Sequence, residues 1–166
     1  EALTDTAFSR SSRSRLTARL VPRRIWTGMK RKTKTQYAAL PYCIDEGGSL
    51  KVLLVTSRET RRWIIPKGWP IKKHEPHSAA SLEAYEEAGA IGIVAAQAIG
   101  LYSYDKRLKN DQVRTCQVHV FPFAVHSLLD EWPEAHQRKR QWYEPKHAAS
   151  LVQEADLADI IRSFRP

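Results

Sequence analysis

The stretch Gly68-Trp-Pro-Ile-Lys-Lys-His-Glu-Pro-His-Ser-Ala-Ala-Ser-Leu-Glu83-Ala-Tyr-Glu86-Glu87-Ala-Gly89 sets three carboxylates behind a loop that contains glycine and proline. At about 100° per residue, Glu83, Glu86 and Glu87 fall within an arc of roughly 100° on one helix. Ser81, Ala84, Tyr85 and Ala88 point the other way, so the spacing predicts one acidic face and one buried face. Pro76 suits the first turn of a helix and Gly89 its C′ position, which predicts a helix over 76–88. Like charges at i, i+4 oppose that helix, and no Lys or Arg lies within 76–89 to offset them. Carboxylates without Cys or His at ligand spacing favour a hard divalent cation, Mg²⁺ or alternatively Mn²⁺. A solvated acidic face is the competing reading of the three glutamates taken alone.

The spacing from Gly68 separates the two. Gly68, Glu83, Glu86, Glu87 and Gly89 occupy matching positions of the Nudix box, G-x5-E-x7-R-E-U-x-E-E-x-G-U, and the segment resembles it. Two positions depart from the pattern. His74 stands where the first Glu of the box falls, and Leu82 replaces the Arg before Glu83. In the family those two side chains help brace the loop against the helix. The resemblance implies that Glu83 and Glu87 are direct metal ligands, joined by the backbone carbonyl of Gly68. It leaves Glu86 to complete the metal shell through water or to serve as the base, and the identity of the general base stays open among the catalytic set Glu83, Glu86 and Glu87.

Around this segment the chain reads as α/β (α+β), with strands and helices interleaved but no repeated βαβ unit. Tyr37 to Ile44 and Leu50 to Thr56 flank the turn signal Asp45-Glu46-Gly47-Gly48 and predict a hairpin. Trp63-Ile64-Ile65, Ala98 to Tyr104, Gln117 to Val125 and Gln141-Trp142-Tyr143 predict further strands, with a polar loop from Asp105 to Gln112. Pro145 opens a helical tail carrying Leu151, Val152, Leu157, Ile160 and Ile161. The resembled family implies a Nudix α/β/α sandwich around a mixed β-sheet.

Charge divides the 166 residues unevenly. The net +9 is concentrated in residues 1–35, where ten basic side chains meet only Glu1 and Asp5, while residues 36–166 are nearly neutral at +1. This predicts a basic Ser/Arg-rich N-terminal extension over 1–35 and a Nudix hydrolase domain over 36–166. The extension suits nucleic-acid or membrane-surface contact or a transit peptide, with a solvated tail as the plainer alternative. No run approaches 18 apolar residues, so no transmembrane segment is predicted. Cys43 and Cys116 lie in apolar runs without a C-x-x-C partner, which points to buried thiols and a reducing, cytoplasmic compartment, with an organellar destination for the extension as the alternative.

Substrate choice must come from outside the box. The order of short motifs over about 38–164 is similar to the diphosphoinositol and diadenosine polyphosphate phosphohydrolases. The matches are Leu53-Leu54-Val55-Thr56-Ser57-Arg58, Arg62-Trp63-Ile64-Ile65-Pro66, Arg114-Thr115, and Trp132 followed by Arg138-Lys139-Arg140-Gln141-Trp142-Tyr143. The Gly68-Trp69-Pro70 loop looks more like bacterial members. A polyanionic small molecule needs several cationic contacts, and guanidinium forks bind phosphate bidentately. Arg58, Arg62, Lys67, Arg114, Arg138 and Arg140 are therefore the expected substrate-binding set. Lys106, Arg107 and Lys109 are assigned to a polar loop able to close on substrate, with an ordinary surface loop as the equal alternative. Tyr102 and Tyr104 are read as core, with stacking on an adenine as the alternative. The implied activity is Mg²⁺-dependent hydrolysis of a phosphoanhydride bond. RNA 5′ ends or nucleoside triphosphates are the alternative substrates, and a silent ligand-binding module is the alternative class.

Overall fold

The computed structural model describes residues 33–108 and 112–166. The predicted N-terminal extension therefore lies outside the described residues except for Thr33, Lys34 and Thr35, and Lys109 lies outside them too. In chain order the elements are β1 (Lys34–Ile44), β2 (Leu50–Thr56), β3 (Trp63–Ile64), β4 (Lys67–Gly68), α1 (Pro76–Ala88), β5 (Ala90–Val94), β6 (Gly100–Arg107), β7 (Val113–Leu128), β8 (Arg140–Tyr143), α2 (Pro145–Leu151) and α3 (Ala155–Ser163).

One mixed sheet follows the order β3-β2-β1-β7-β5, with β8 also pairing β2, β4 pairing β1 and β6 pairing β7. β1 and β7 run parallel at its centre, from Lys34 opposite Cys116 to Tyr42 opposite Ala124. The β1–β2 hairpin closes on a turn in which Asp45 Oδ1 accepts from the N–H groups of Gly47 and Ser49 (3.0 and 2.8 Å) and Gly48 adopts φ 78°.

Successive strand residues face opposite ways, and here both faces are covered. Leu53, Val55, Ala39, Phe121 and Phe123 meet Ala80, Ala84 and Ala88 of α1. Val52, Leu54, Ala38, Leu40, Val118 and Val120 meet Ala148, Leu157 and Ile161 of α2 and α3. The result is the predicted α/β/α layering. Small alanines on α1 bring its axis close to the sheet, which matters for the glutamates that it carries.

Several expectations shift. β6 continues to Arg107 because it pairs with β7 as far as Val113, so Lys106 and Arg107 are strand residues rather than loop residues. β5 was not anticipated. It is short, and Ile91 and Ile93 face solvent instead of a core. The helical tail is two helices, because Val152 takes an extended conformation (φ −83°, ψ 153°). α1 spans 76–88 as the caps predict, with Gly89 in the left-handed region at φ 61°. Its faces differ from the prediction, however. Tyr85 is 39% exposed, whereas Glu87 is buried alongside the alanines.

Candidate active site

β4 is the seam of the site. Across its pairing with β1, Gly68 lies opposite Tyr37 and Lys67 opposite Ala38, and directly paired residues share a face of the sheet. Gly68 thus faces the α1 layer, while the Lys67 side chain belongs to the α2–α3 layer. Pro66 precedes the pair, and its carbonyl accepts from the Ala39 N–H (3.0 Å), which fixes the strand end beside β1.

On the α1 side, the Glu83 carboxylate packs directly on Gly68. A Cβ at position 68 would sit 1.6 Å from Glu83 Oε1 and 2.1 Å from its carboxyl carbon, so only glycine allows this approach. Burial, reinforced by the charges of Glu87, Glu86 and Glu134, pushes the Glu83 carboxyl up to about 7. Glu87 lies one turn on. Its Oε1 accepts from Arg138 Nη2 (2.5 Å) and its Oε2 from the Lys67 N–H (3.4 Å). Burial raises the Glu87 carboxyl, and Arg138 and Lys67 pull in the opposite direction.

Glu134 is the residue that sequence reasoning missed. Its Oε2 accepts from Arg138 Nε (2.5 Å), its Oε1 lies 3.4 Å from Arg58 Nη1, and its N–H donates to the Glu86 carbonyl (3.2 Å). The available signal was a Glu four residues before Arg138, just after Trp132-Pro133. In the structure this spacing forms a turn, with the Arg138 N–H on the Glu134 carbonyl (3.1 Å).

The segment between β7 and β8 also grips the end of α1. Trp132 Nε1 donates to the Glu87 carbonyl (3.2 Å), and Arg140 donates to the carbonyls of Ala88 (2.7 Å) and Leu129 (2.6 Å). The Arg140 guanidinium lies 4.0 Å from the centre of the Trp132 ring. A Cβ at Gly89 would meet Arg140 Nη1 and Trp132 Cβ at 2.8 Å, so this glycine is required both for its backbone conformation and for the close approach.

The other side of β4 is cationic. The Lys67 ammonium lies 5.3 Å from the Tyr104 ring centre, and the Arg62 guanidinium lies 6.0 Å from it. Burial draws the Lys67 ammonium down to about 8, with Glu87 the main opposing influence. Arg62 reaches Gln153 Oε1 (2.7 Å) and Glu154 Oε1 (3.2 Å) in the α2–α3 connection. Tyr102 is core, as read, while the half-buried Tyr104 donates its hydroxyl to Gln36 Oε1 (2.7 Å). Lys106 pairs across the strands with Arg114, and its ammonium sits 5.0 Å from the ring of Trp69, the residue after Gly68.

Of the six basic residues expected to bind substrate, Lys67 and Arg62 come together around Tyr104. Arg114 lies further along the β6–β7 pair beside Lys106. Arg58 is largely exposed and leans on Glu134. Arg138 and Arg140 instead direct their donors into the protein, Arg138 also reaching the Thr56 carbonyl (2.9 Å). His74 is exposed, with its ring against the Lys72 carbonyl (3.3 Å).

Oxygen donors at 83, 86 and 87 suit a hard divalent cation, and a buried Glu83 carboxyl pressed on Gly68 is a group that such a cation would stabilise in its charged form. Among the described residues, no set of three or more His, Cys, Asp or Glu side chains is already gathered so that it could hold an ion.

A mixed sheet between α1 and α2–α3, carrying Gly68 against a glutamate helix, is the Nudix fold, and the chain is a homologue of the Nudix hydrolases. It is 31% identical over 124 residues to Nudix hydrolase 12, mitochondrial, of Arabidopsis thaliana, covering 73% of this chain and 61% of that protein. It is 35% identical over 106 residues to diphosphoinositol polyphosphate phosphohydrolase 3-alpha of Mus musculus, covering 62% and 60%. Among solved structures, the Ap4A hydrolase of C. elegans shares the fold at TM-score 0.54 and 18% identity, over 78% of this chain and 94% of that one. The chain thus spans about three fifths of the length of the curated relatives that it matches. No family model matches it.

Proposed function

We propose that this domain hydrolyses a phosphoanhydride bond in a highly phosphorylated small molecule, a diadenosine polyphosphate or a diphosphoinositol polyphosphate, with Mg²⁺ as cofactor and Mn²⁺ as its substitute. The observation that carries the reading is the placement of Glu83 on Gly68, one turn from Glu87, with Lys67 and Arg62 across the same two-residue strand. Glu83 and Glu87, with the Gly68 carbonyl, would hold the ion, and Glu86 would complete its shell. When bound, the ion supplies charge neutralisation at the bridging oxygens and a more acidic water.

The chain's own groups do the rest. Lys67, desolvated yet cationic at neutral pH, and Arg62 beside it offer fixed positive charge to phosphate oxygens at the moment negative charge builds. Arg114 and Arg58 would take more distant phosphates of the same polyanion. Arg138 and Arg140, with donors engaged on α1, are better suited to shaping the site than to gripping substrate. An attacking water would lose its proton to one of the glutamates, and Glu83, Glu86 and Glu87 all remain candidates for the base.

A release assay tests the reading. Phosphate or nucleotide liberation is followed with Mg²⁺ over diadenosine polyphosphates, diphosphoinositol phosphates, nucleoside triphosphates and 5′-triphosphate RNA. Turnover of the first two classes is expected. Silence on all four would favour a ligand-binding module instead. The RNA reading is favoured by the charge of +8 on residues 1–35; activity on RNA should then fall steeply with salt and on deletion of that segment, while small-molecule turnover survives. A cytoplasmic location fits two free thiols, Cys43 and Cys116, and import assays of the 1–35 segment distinguish it from an organellar one. No helix among the described residues is long and apolar enough to cross a membrane.

A further inference from the structure

The box of this chain lacks the two side chains, at 74 and 82, whose pairing braces loop to helix in the resembled pattern. A glutamate helix without that brace still needs something to fix the rotamers of its ligands, because a carboxylate on a flexible stem loses conformational freedom when it takes up an ion. The structure shows one candidate in the right place. Arg138 is only 7% exposed. Its Nη2 donates to Glu87 Oε1, its Nε to Glu134 Oε2 and its Nη1 to the Thr56 carbonyl. The backbone around it is pinned to the end of β2, with the Lys139 N–H on Thr56 Oγ1 (2.9 Å) and the Thr56 N–H on the Lys139 carbonyl (2.9 Å).

A guanidinium is planar, so three fixed acceptors determine its position completely. With Nε on Glu134 and Nη1 on Thr56, Nη2 holds Glu87 Oε1, while Glu87 Oε2 keeps only the longer contact to the Lys67 N–H (3.4 Å). We propose that Arg138 is a positioning residue: anchored to β2 and Glu134, it orients the Glu87 carboxylate for the metal and so replaces, from the β7–β8 connection, the brace missing at positions 74 and 82. This rests on the reading of Glu87 as a metal ligand. It also moves Arg138 out of the substrate-binding set, since its three nitrogens already have protein acceptors and its side chain is closed to solvent.

Two chemical consequences follow. Loss of the fork should weaken the ion more than the substrate, because the side chain acts through Glu87. Lysine at 138 keeps the charge but not the planar three-way hold, so it should restore only part of the effect.

The experiment is a double-mutant cycle on the full chain with Arg138→Gln, Arg138→Lys, Glu87→Gln and the double variant Glu87→Gln/Arg138→Gln. Mg²⁺ binding is measured by calorimetry, and Mg²⁺ dependence, kcat and KM are measured by release from the best substrate of the four-class screen. Arg138→Gln is expected to raise the Mg²⁺ dissociation constant about tenfold and to lower kcat about a hundredfold, with KM within about threefold of wild type. Arg138→Lys should fall between. In the Glu87→Gln background, Arg138→Gln should change Mg²⁺ affinity by less than about twofold. An unchanged Mg²⁺ affinity in Arg138→Gln, a rise in KM alone, or full additivity in the cycle would each overturn the proposal. Should Arg138→Gln fail to fold, the Arg138→Lys variant carries the same comparison, and a Mg²⁺ affinity equal to wild type there overturns it. A wild-type chain that binds Mg²⁺ but turns over none of the substrates defeats the hydrolase reading alone. The calorimetric cycle still decides the role of Arg138.

Discussion

The two residues of β4 look into different chemistries. Gly68 faces a helix whose Glu83 carboxyl is pushed up by burial and by the neighbouring glutamates, whereas Lys67 faces a cationic cluster where an ammonium and a guanidinium share one tyrosine ring. The acidic side comes from one helix and one loop; the basic side draws on β4, β6, β7, the loop before β3 and the α2–α3 connection. A charge cluster built locally can be set by spacing alone. One assembled from distant segments depends on the whole sheet being in register.

The largest expected effect falls on the acidic side. Glu83→Gln should lower turnover by roughly 10²–10⁴-fold, in line with the loss of a group acting at the reacting centre, and circular dichroism should show an intact fold. Near-normal Mg²⁺-dependent turnover in both Glu83→Gln and Glu87→Gln would remove the acidic side from the mechanism. Gly68→Ala comes next. Its Cβ would overlap the Glu83 carboxylate, so Glu83 must move, with a cost of about 1–3 kcal/mol in denaturant unfolding and a loss of Mg²⁺ affinity. The basic side should respond differently. Lys67→Met should raise KM about tenfold, or about 1.4 kcal/mol of binding, while Mg²⁺ affinity holds. If it raises Mg²⁺ affinity instead, as loss of a cation acting on Glu87 would, the two sides are one electrostatic unit.

The smallest effect concerns stability. The folded value of Glu83, about 7, lies above its unfolded value near 4.5. The native state therefore holds the extra proton between those limits, and the stability tied to it is present at acid pH and lost as pH rises through 7. In EDTA the melting temperature should fall between pH 5 and 8. Mg²⁺ should flatten that slope, and so should Glu83→Gln. A melting temperature that is flat with pH in EDTA would mean that burial and the neighbouring charges do not raise the Glu83 carboxyl.

The same contrast governs what could be read from the chain. Pro76, Gly89 and the i, i+3, i+4 glutamates fix α1 by local rules, and the structure gives its limits as Pro76–Ala88. The hairpin turn at Asp45 is equally local. Glu134 offered only its i, i+4 spacing to Arg138; that the pair reaches Arg58 and Glu87 depends on distant segments coming together. The inward turn of Arg138 and Arg140 could not be read locally, since a basic run next to a tryptophan looks the same whether it grips phosphate or helix carbonyls. The spacing assigns Glu87 to an acidic face set apart from the buried one. Its burial follows from the alanines of α1, which draw the helix down onto the sheet.

The parallel pairing of β1 with β7 joins segments some eighty residues apart, and contacts of that span form late because the intervening loop must close first. Lys67, on β4 beside β1, and Tyr104, on β6 beside β7, come together only with that pairing. Partly folded chains would then carry α1 and its glutamates without a counter-charge. In a refolding experiment, recovery of catalysis should trail the return of helical signal, so that activity reports the completed sheet while the helix reports only its local sequence.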